Sequence, residues 1–473
     1  MQISKNTSFI LFLFGLLVFV LLRAQYNYLG FLWDEMWSYV PAVRTMHQNG
    51  ISMLPSAMNP EISRGHPLFF YALSASFLKI FGTSNEAMHA LPLLVSCVCA
   101  YMTYRIGTEF FSPEVGLISS FLLLLQSIFF VQAAMVLPEI MVSTLVLLAF
   151  YAFFKEKIAW YWLFASLLVL TKESGIVLPA ALATCYFFKN FNLKSIAFWK
   201  KIAWIIAPLS VFVFFLLVQK MTFGWFFFPE HVGLMHFNSN YILHTLEACF
   251  NCVFLLQNRR NIFIFGSIII LILYFFNKKN RDIAPKNLGL IAYFVTFIGF
   301  YFIFCCVNFF TTRYVLCAIP LALLALVASV FEFLPEKKYL FAYVFFTFCG
   351  AMSLHFTLNG HGAGDVELGA FDLIEVQQQA VSTIEKYVPK GQAVITHHGF
   401  LKKFALKNPY CGFLKVPYQK IDSTFTPNGI GYFFSVEPDT LYEKMKVEGK
   451  IEVLHRFEKG KSVTEVYKVE LGN

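Results

Sequence analysis

Asp34 and Glu35 stand side by side between Trp33 and Trp37, directly after a long apolar run from Phe9 to Leu22. Carboxylates at a membrane exit are costly unless they meet water, a metal or a cation. Tryptophan rings favour the headgroup level, where one edge is apolar and the N–H finds a polar partner. Cations follow along the chain: Arg64 and His66 in Arg-Gly-His-Pro, Lys172 in Thr-Lys-Glu-Ser-Gly, and Arg313, which precedes Tyr314. Glu139 follows Pro138, Glu173 follows Lys172, and His231, His236 and His244 share one long loop. Gathered in one cavity, the acids would deprotonate an acceptor and the cations would hold and stabilise a departing phosphate. Each residue also has a purely structural reading. Asp34 suits the N-cap of an interfacial helix ending at Asn49-Gly50, which Pro41 would kink or restart. Glu139 suits a first-turn acid, Lys172 and Glu173 a local bridge, and Arg313 a side chain that snorkels to the interface.

The elements that must position these residues are set by composition. Of 473 residues 58% are hydrophobic and only 14% charged, with 58 phenylalanines. The mean hydropathy is +0.63. Such a chain is a mainly α, polytopic membrane protein, and phenylalanine at that frequency fits lipid-facing surface. The formal net charge of +9 therefore has no bearing on nucleic acid, which is not expected as a partner; its meaning depends on where Lys and Arg fall relative to the spans. Most of the ten cysteines lie inside apolar runs and read as small buried hydrophobes. Cys249 and Cys252 form a lone C-x-x-C on an expected external loop, which argues against zinc and leaves a local disulfide open. The first apolar run lacks a small-x-small cleavage site and reads as a retained anchor.

A membrane-spanning helix needs roughly 20 mostly apolar residues. That criterion places spans near 8–24, 87–106, 115–134, 138–154, 158–171, 174–189, 202–219, 262–277, 288–307, 313–333 and 338–356, about 11 transmembrane helices in all. The fifth and sixth are short and meet at a break over Thr171-Lys172-Glu173-Ser174. Pro67–Phe81 is apolar but interrupted by Ser74, Ser76 and Lys79, as in a helix lying in the interface within a large first loop. An N-terminus inside puts Arg105, Lys155, Lys157, Lys189, Lys194, Lys200, Lys201, Lys278, Lys279, Arg281, Lys286, Lys337 and Lys338 on the cytoplasmic side, in short loops where the positive-inside rule holds. The first loop, the loop from Lys220 to Asn261 and everything after about Thr357 then face outward.

Residues 1–356 thus form a membrane domain and 357–473 an external, periplasmic soluble domain. In the latter, Phe371–Tyr387 reads as an amphipathic helix, Gln392–Thr396 as a strand, Phe400–Leu406 as a helix and Ile430–Val436 as a strand. Ile451–Phe457, Lys459-Gly460-Lys461 and Val463–Val469 read as a closing hairpin. The pattern is a small α/β domain.

The ordered set of motifs resembles a known family. It comprises Asp-Glu-x-x-x-Tyr after the first span, Gly-His-Pro-Leu-Phe-Phe-Tyr…Lys-Ile-Phe-Gly at 65–82, Leu-Pro-Glu at 137–139, Thr-Lys-Glu-Ser-Gly at 171–175 and Thr-Arg-Tyr at 312–314. On this topology it is similar to the GT-C integral-membrane glycosyltransferases, and more closely to the family uniting protein O-mannosyltransferases with lipid A aminoarabinose transferases. The resemblance implies an inverting transfer of a sugar from a polyprenyl-phosphate donor on the face opposite the cytoplasm of the inner (plasma) membrane. The acceptor would be a lipid-linked glycan, lipid A or a protein. By position Asp34 would be the catalytic base with Glu35 beside it, and Glu139 a second catalytic acid. Lys172, Arg313 and Tyr314 would contact the donor. Aminoarabinose transferases carry Glu-Lys-Pro-Pro where this chain has Gly65-His66-Pro67-Leu68. Lipid A is therefore not carried across as this chain's own substrate and stays only one of the three acceptor classes, His66 or Arg64 is left to meet the phosphate, and a divalent metal is left open as a cofactor. The alternative from another class is a polyprenyl-linked glycan transporter or flippase, or a non-catalytic lipid-binding relative. A transporter should show polar residues along a path through the bilayer and often paired repeats, whereas these charges cluster on one side.

Overall fold

The computed structural model describes residues 3–278, 287–335, 339–362, 364–389, 394–395, 406–407, 411–414, 416–422, 430–435, 448 and 451–470. Among the described residues five helices are long and apolar enough to cross a membrane: Lys5–Ala24, Asn85–Phe110, Leu288–Val307, Thr312–Phe333 and Tyr339–Asn359. Two further bent pairs bring the number to seven if each pair is one span, and four shorter apolar helices accompany them. Phe14, Leu21, Val344 and Phe348 are exposed on the outer faces of the first and last of the five. A helix that exposes such residues along its length is solvated by lipid, not water.

Two expected features take a different form. The span expected over 115–134 is broken, with a helix over Pro113–Leu124 and a short one over Ser127–Gln132. At the break the Gln126 side chain donates to the Leu122 carbonyl at 2.9 Å, meeting one of the carbonyls a helix end leaves open. The expected external loop from Lys220 to Asn261 contains an apolar helix, Ser239–Phe250, followed by a π-turn over Asn251–Leu255. This segment turns by 80° into Arg259–Lys278. Buried Arg259 holds the bend, donating from Nε to the Cys252 carbonyl at 3.0 Å and from Nη1 to Gln257 at 2.8 Å. Cys249 and Cys252 are buried on this segment as free thiols, not joined in a disulfide. A helical C-x-x-C packed into an apolar core behaves as two small hydrophobes.

The first loop is ordered. Asp34 has helical backbone angles and makes no side-chain cap; a π-turn over Glu35–Tyr39 leads into the helix Val40–Asn49, with Pro41 in its first turn. The helical backbone runs through Val40, whose N–H donates to the Glu35 carbonyl, so Pro41 follows the π-turn without ending the helix. The helix stops at Gly50, whose φ of +112° favours glycine. Phe69–Phe81 forms the expected apolar helix of this loop.

Beyond Asn359 the helix Gly369–Tyr387 packs on a sheet that has five strands among the described residues. The strands are β1 Val394–Ile395, β2 Ile421–Asp422, β3 Ile430–Ser435, β4 Ile451–Lys459 and β5 Ser462–Glu470. β1 runs parallel to β2 and β3, whereas β3, β5 and β4 are antiparallel. The expected hairpin is present, with a bulge between Val453 and His455. The helix expected at Phe400–Leu406 lies outside the described residues except for Leu406, as do Gln392, Ala393, Thr396 and Val436 of the expected strands. Lys279, Arg281, Lys286, Lys337 and Lys338 also lie outside them. Buried Phe371, Val394, Tyr418 and Val466 share one continuous apolar core with the membrane helices.

Candidate active site

Arg313 is where the separate motifs meet. It sits on a 3-10 turn, Thr312–Cys317, leading into the apolar helix Ile319–Phe333, and only 4% of its side chain is exposed. A guanidinium cannot be left unpaired there, and its planar fork offers donors in several directions. Nη2 pairs with Asp34, Nη1 with Asp365, and Nε lies 3.4 Å from Glu139 Oε1. The sequence alternative of snorkelling does not apply, because the side chain is spent on three carboxylates.

Local chain geometry explains how the partners arrive. Glu139 opens the helix Glu139–Phe154, directly after Pro138, and takes a 2.8 Å hydrogen bond from Lys172 Nζ. Lys172 has extended backbone between the helix Ile158–Val169 and the turn Glu173–Ile176. Neighbouring residues in extended chain project to opposite sides. Lys172 therefore reaches Glu139 while Glu173 reaches His66, so the two do not form a local bridge. Gly175 makes this turn feasible: a Cβ there would lie 2.7 Å from the Leu168 carbonyl oxygen. Tyr314 floors the cations, with Lys172 Nζ 3.7 Å from its ring centroid and the Arg313 guanidinium at 5.5 Å.

The two acids of the opening motif have different surroundings. Asp34 Oδ1 accepts from Trp37 Nε1 at 3.1 Å, and its side chain is 33% exposed. Glu35 is buried, accepting from the Leu32 N–H at 2.9 Å and the Val136 N–H at 2.6 Å. Burial pushes the Glu35 carboxyl up to about 7, even though both N–H groups favour its charged form. Its place is a tie between the first loop and the turn before Glu139.

His66 and Arg64 form a neighbouring cluster. His66 Nδ1 lies 2.9 Å from Glu173 Oε2, and its ring packs 4.9 Å from that of His231. Burial, reinforced by the neighbouring His66 ring, lowers His231 to about 4, so His231 is neutral at pH 7. Arg64 pairs with Glu230 and covers the Trp37 ring at 5.1 Å, which links this cluster to Asp34. Among the described residues neither His236 nor His244 joins this cluster; His236 packs on Tyr241 instead.

Sequence reasoning missed Asp365. It lies in Gly-Asp-Val-Glu-Leu, 52 residues after Arg313 and beyond the last span, where nothing local marks an acid as functional. Its carbonyl accepts from Gln132 Nε2 at 2.7 Å, and its residue is 7% exposed. Among the described residues no three His, Cys, Asp or Glu side chains converge as metal ligands. The carboxylates that do converge surround the Arg313 guanidinium, which fills the place of a cation. Glu139 Oε2 is buried without a hydrogen-bond partner.

Residues 65–218 match the family described as dolichyl-phosphate-mannose-protein mannosyltransferase, a stretch holding His66, Glu139 and Lys172. No curated protein matches the chain. Among solved structures, ArnT from Cupriavidus metallidurans in the apo state superposes with a TM-score of 0.58 at 12% identity, covering 98% of each chain. ArnT from the same organism bound to undecaprenyl phosphate gives 0.55 at 12% identity, covering 97% of each. The chain is therefore similar in fold to ArnT over 97–98% of its length and similar to the mannosyltransferase family over residues 65–218, as the GT-C resemblance implies.

Proposed function

We propose that this protein is an inverting membrane glycosyltransferase that moves a sugar from a polyprenyl-phosphate carrier to a lipid-linked glycan, lipid A or a protein, with Asp34 as general base. It would work at the periplasmic face of the inner membrane, with the N-terminus cytoplasmic. The observation that carries the reading is the difference in access among the carboxylates on Arg313. Asp34 is 33% exposed, whereas Glu139 and Asp365 are 3% and 10% exposed. Only the first can meet an incoming acceptor directly.

The reaction balances on this cluster. Asp34 takes the acceptor's proton as the acceptor attacks the anomeric carbon, and the carbon–oxygen bond to phosphate breaks with its electron pair going to the phosphate. The leaving group passes from a singly charged diester to a more negative monoester. Protonation of Asp34 cancels its charge at the same moment, which frees Arg313 Nη2 for the new negative charge. Lys172 stands beside it on Tyr314. Three carboxylates against two cations hold the resting site slightly negative, so the cations are not open traps for any passing phosphate. The binding of undecaprenyl phosphate by ArnT supports the donor class.

Asp34→Asn tests the assignment in purified protein supplied with polyprenyl-phosphate sugars. Removing a general base lowers rate about 10²–10⁴-fold. Binding of undecaprenyl phosphate is expected to hold or tighten, because the amide no longer engages Arg313 as an ion. Transfer at near wild-type rate would reassign the base.

A further inference from the structure

A second site lies at the opposite end of the membrane helices. The helix Glu139–Phe154 begins in the carboxylate cluster, and its far end is about 24 Å away at 1.5 Å per residue. There a cavity of about 460 Å³ is lined by Tyr101, Arg105, Tyr151, Lys157, Trp160 and Phe164, among others. Three elements build it: the second half of Asn85–Phe110, the end of Glu139–Phe154, and the start of Ile158–Val169.

The lining is graded along the helix axes. Lys157 precedes the first turn of Ile158–Val169, Trp160 follows within that turn, and Phe164 lies a full turn deeper. On the neighbouring helix Arg105 lies one turn nearer the end than Tyr101. The cavity is thus cationic at the membrane surface, aromatic beneath it and apolar toward the midplane. The charge at its mouth is not balanced. Arg105 and Lys155 share a single carboxylate, Glu109, and Lys157 makes no ion pair with a described residue. Glu156 turns away to Lys201 at 3.6 Å. Lys157 and Trp160 are exposed, while Arg105 is braced by Tyr151 Oη at 3.3 Å.

We propose that this cavity is a binding site for an anionic glycerophospholipid of the leaflet opposite the carboxylate cluster. The phosphate would lie between Arg105 and Lys157, and one acyl chain would run along Trp160 and Phe164. Excess positive charge attracts an anionic headgroup, the guanidinium fork suits a phosphate, and the apolar depth suits a chain. A free phosphate would leave that depth unfilled. The site does not depend on the proposed sugar transfer.

The test uses the full chain, delipidated in detergent and titrated in native mass spectrometry with dioleoyl phosphatidylglycerol or dioleoyl phosphatidylcholine. Wild type should retain phosphatidylglycerol several-fold better. Lys157→Gln and Arg105→Gln should each lose most of that preference, while undecaprenyl phosphate binding at the other face is unchanged. Arg105 is held by Tyr151 and Glu109, so its variant risks misfolding; Lys157 is exposed and makes no ion pair with a described residue, so Lys157→Gln decides the matter. Equal retention of the two lipids by wild type would overturn the proposal, and so would an undiminished preference in Lys157→Gln. Preference for undecaprenyl phosphate at this cavity, lost in the same variant, would assign it to the carrier and also overturn it.

Discussion

Glu35 shows how one residue's burial sets a pH response. Its carboxyl lies near 7 in the fold against an ordinary 4.5, with burial as the main cause. A raised acid favours the fold in its protonated form, so its contribution is complete below about pH 4.5 and is lost as pH rises through about 7. The melting temperature of the purified protein should therefore fall over this window by a component that Glu35→Gln removes. The variant should also be less stable at low pH by about 1–3 kcal/mol, because an amide nitrogen would face one of two N–H donors. An unchanged pH slope in Glu35→Gln would show that another group titrates.

Among the elements, the connection from Asn359 to Gly369 matters most for the site. Gly362 N–H donates to Glu367 Oε2 at 2.7 Å, and Leu368 N–H to the Gly360 carbonyl at 3.1 Å. Gln132, at the end of a short helix, and Gln257, in the bend before Arg259, brace it. This folded turn returns the chain to Arg313 and presents Asp365. Asp365→Asn keeps the shape but removes one of three negative partners. We expect the fold to survive, undecaprenyl phosphate to bind at least as well, and transfer to slow, since the guanidinium is held less firmly. Binding isotherms and single-turnover rates on the same preparation separate these effects. An unaltered rate would leave Asp365 with bracing alone.

For the whole molecule the decisive quantity is sidedness. Lys155 and Lys194 lie just past helix ends opposite to the one where Glu139 and Lys172 meet. If short basic loops face the cytoplasm, a cysteine replacing Lys194 should react with impermeant thiol reagents only when the cytoplasmic side is opened. One replacing Lys420 should react from outside in intact cells stripped of the outer membrane. The native thiols are mostly buried, so background labelling is low. A Lys420 reporter reachable only from the cytoplasm would overturn both the topology and the face assigned to sugar transfer.

Local chemistry by itself determined the apolar helices, the break at Lys172-Glu173, the Gly50 stop and the terminal hairpin. Each depends on neighbouring residues: hydrophobic runs, a glycine's freedom at positive φ, alternation along a strand. The residue types of the site were legible for a related reason, since Asp34, Glu139, Lys172 and Arg313 are ions set beside long apolar runs, where ions are expensive. Their partners were not legible. Lys172 prefers Glu139, 33 residues away, over adjacent Glu173, because extended backbone sends neighbouring side chains apart. Asp365 looks like any loop acid until the turn carrying it closes on Arg313. Whether a buried charge is a ligand, a brace or a liability depends on which opposite charges the packed helices bring within reach. Tertiary structure alone decides that.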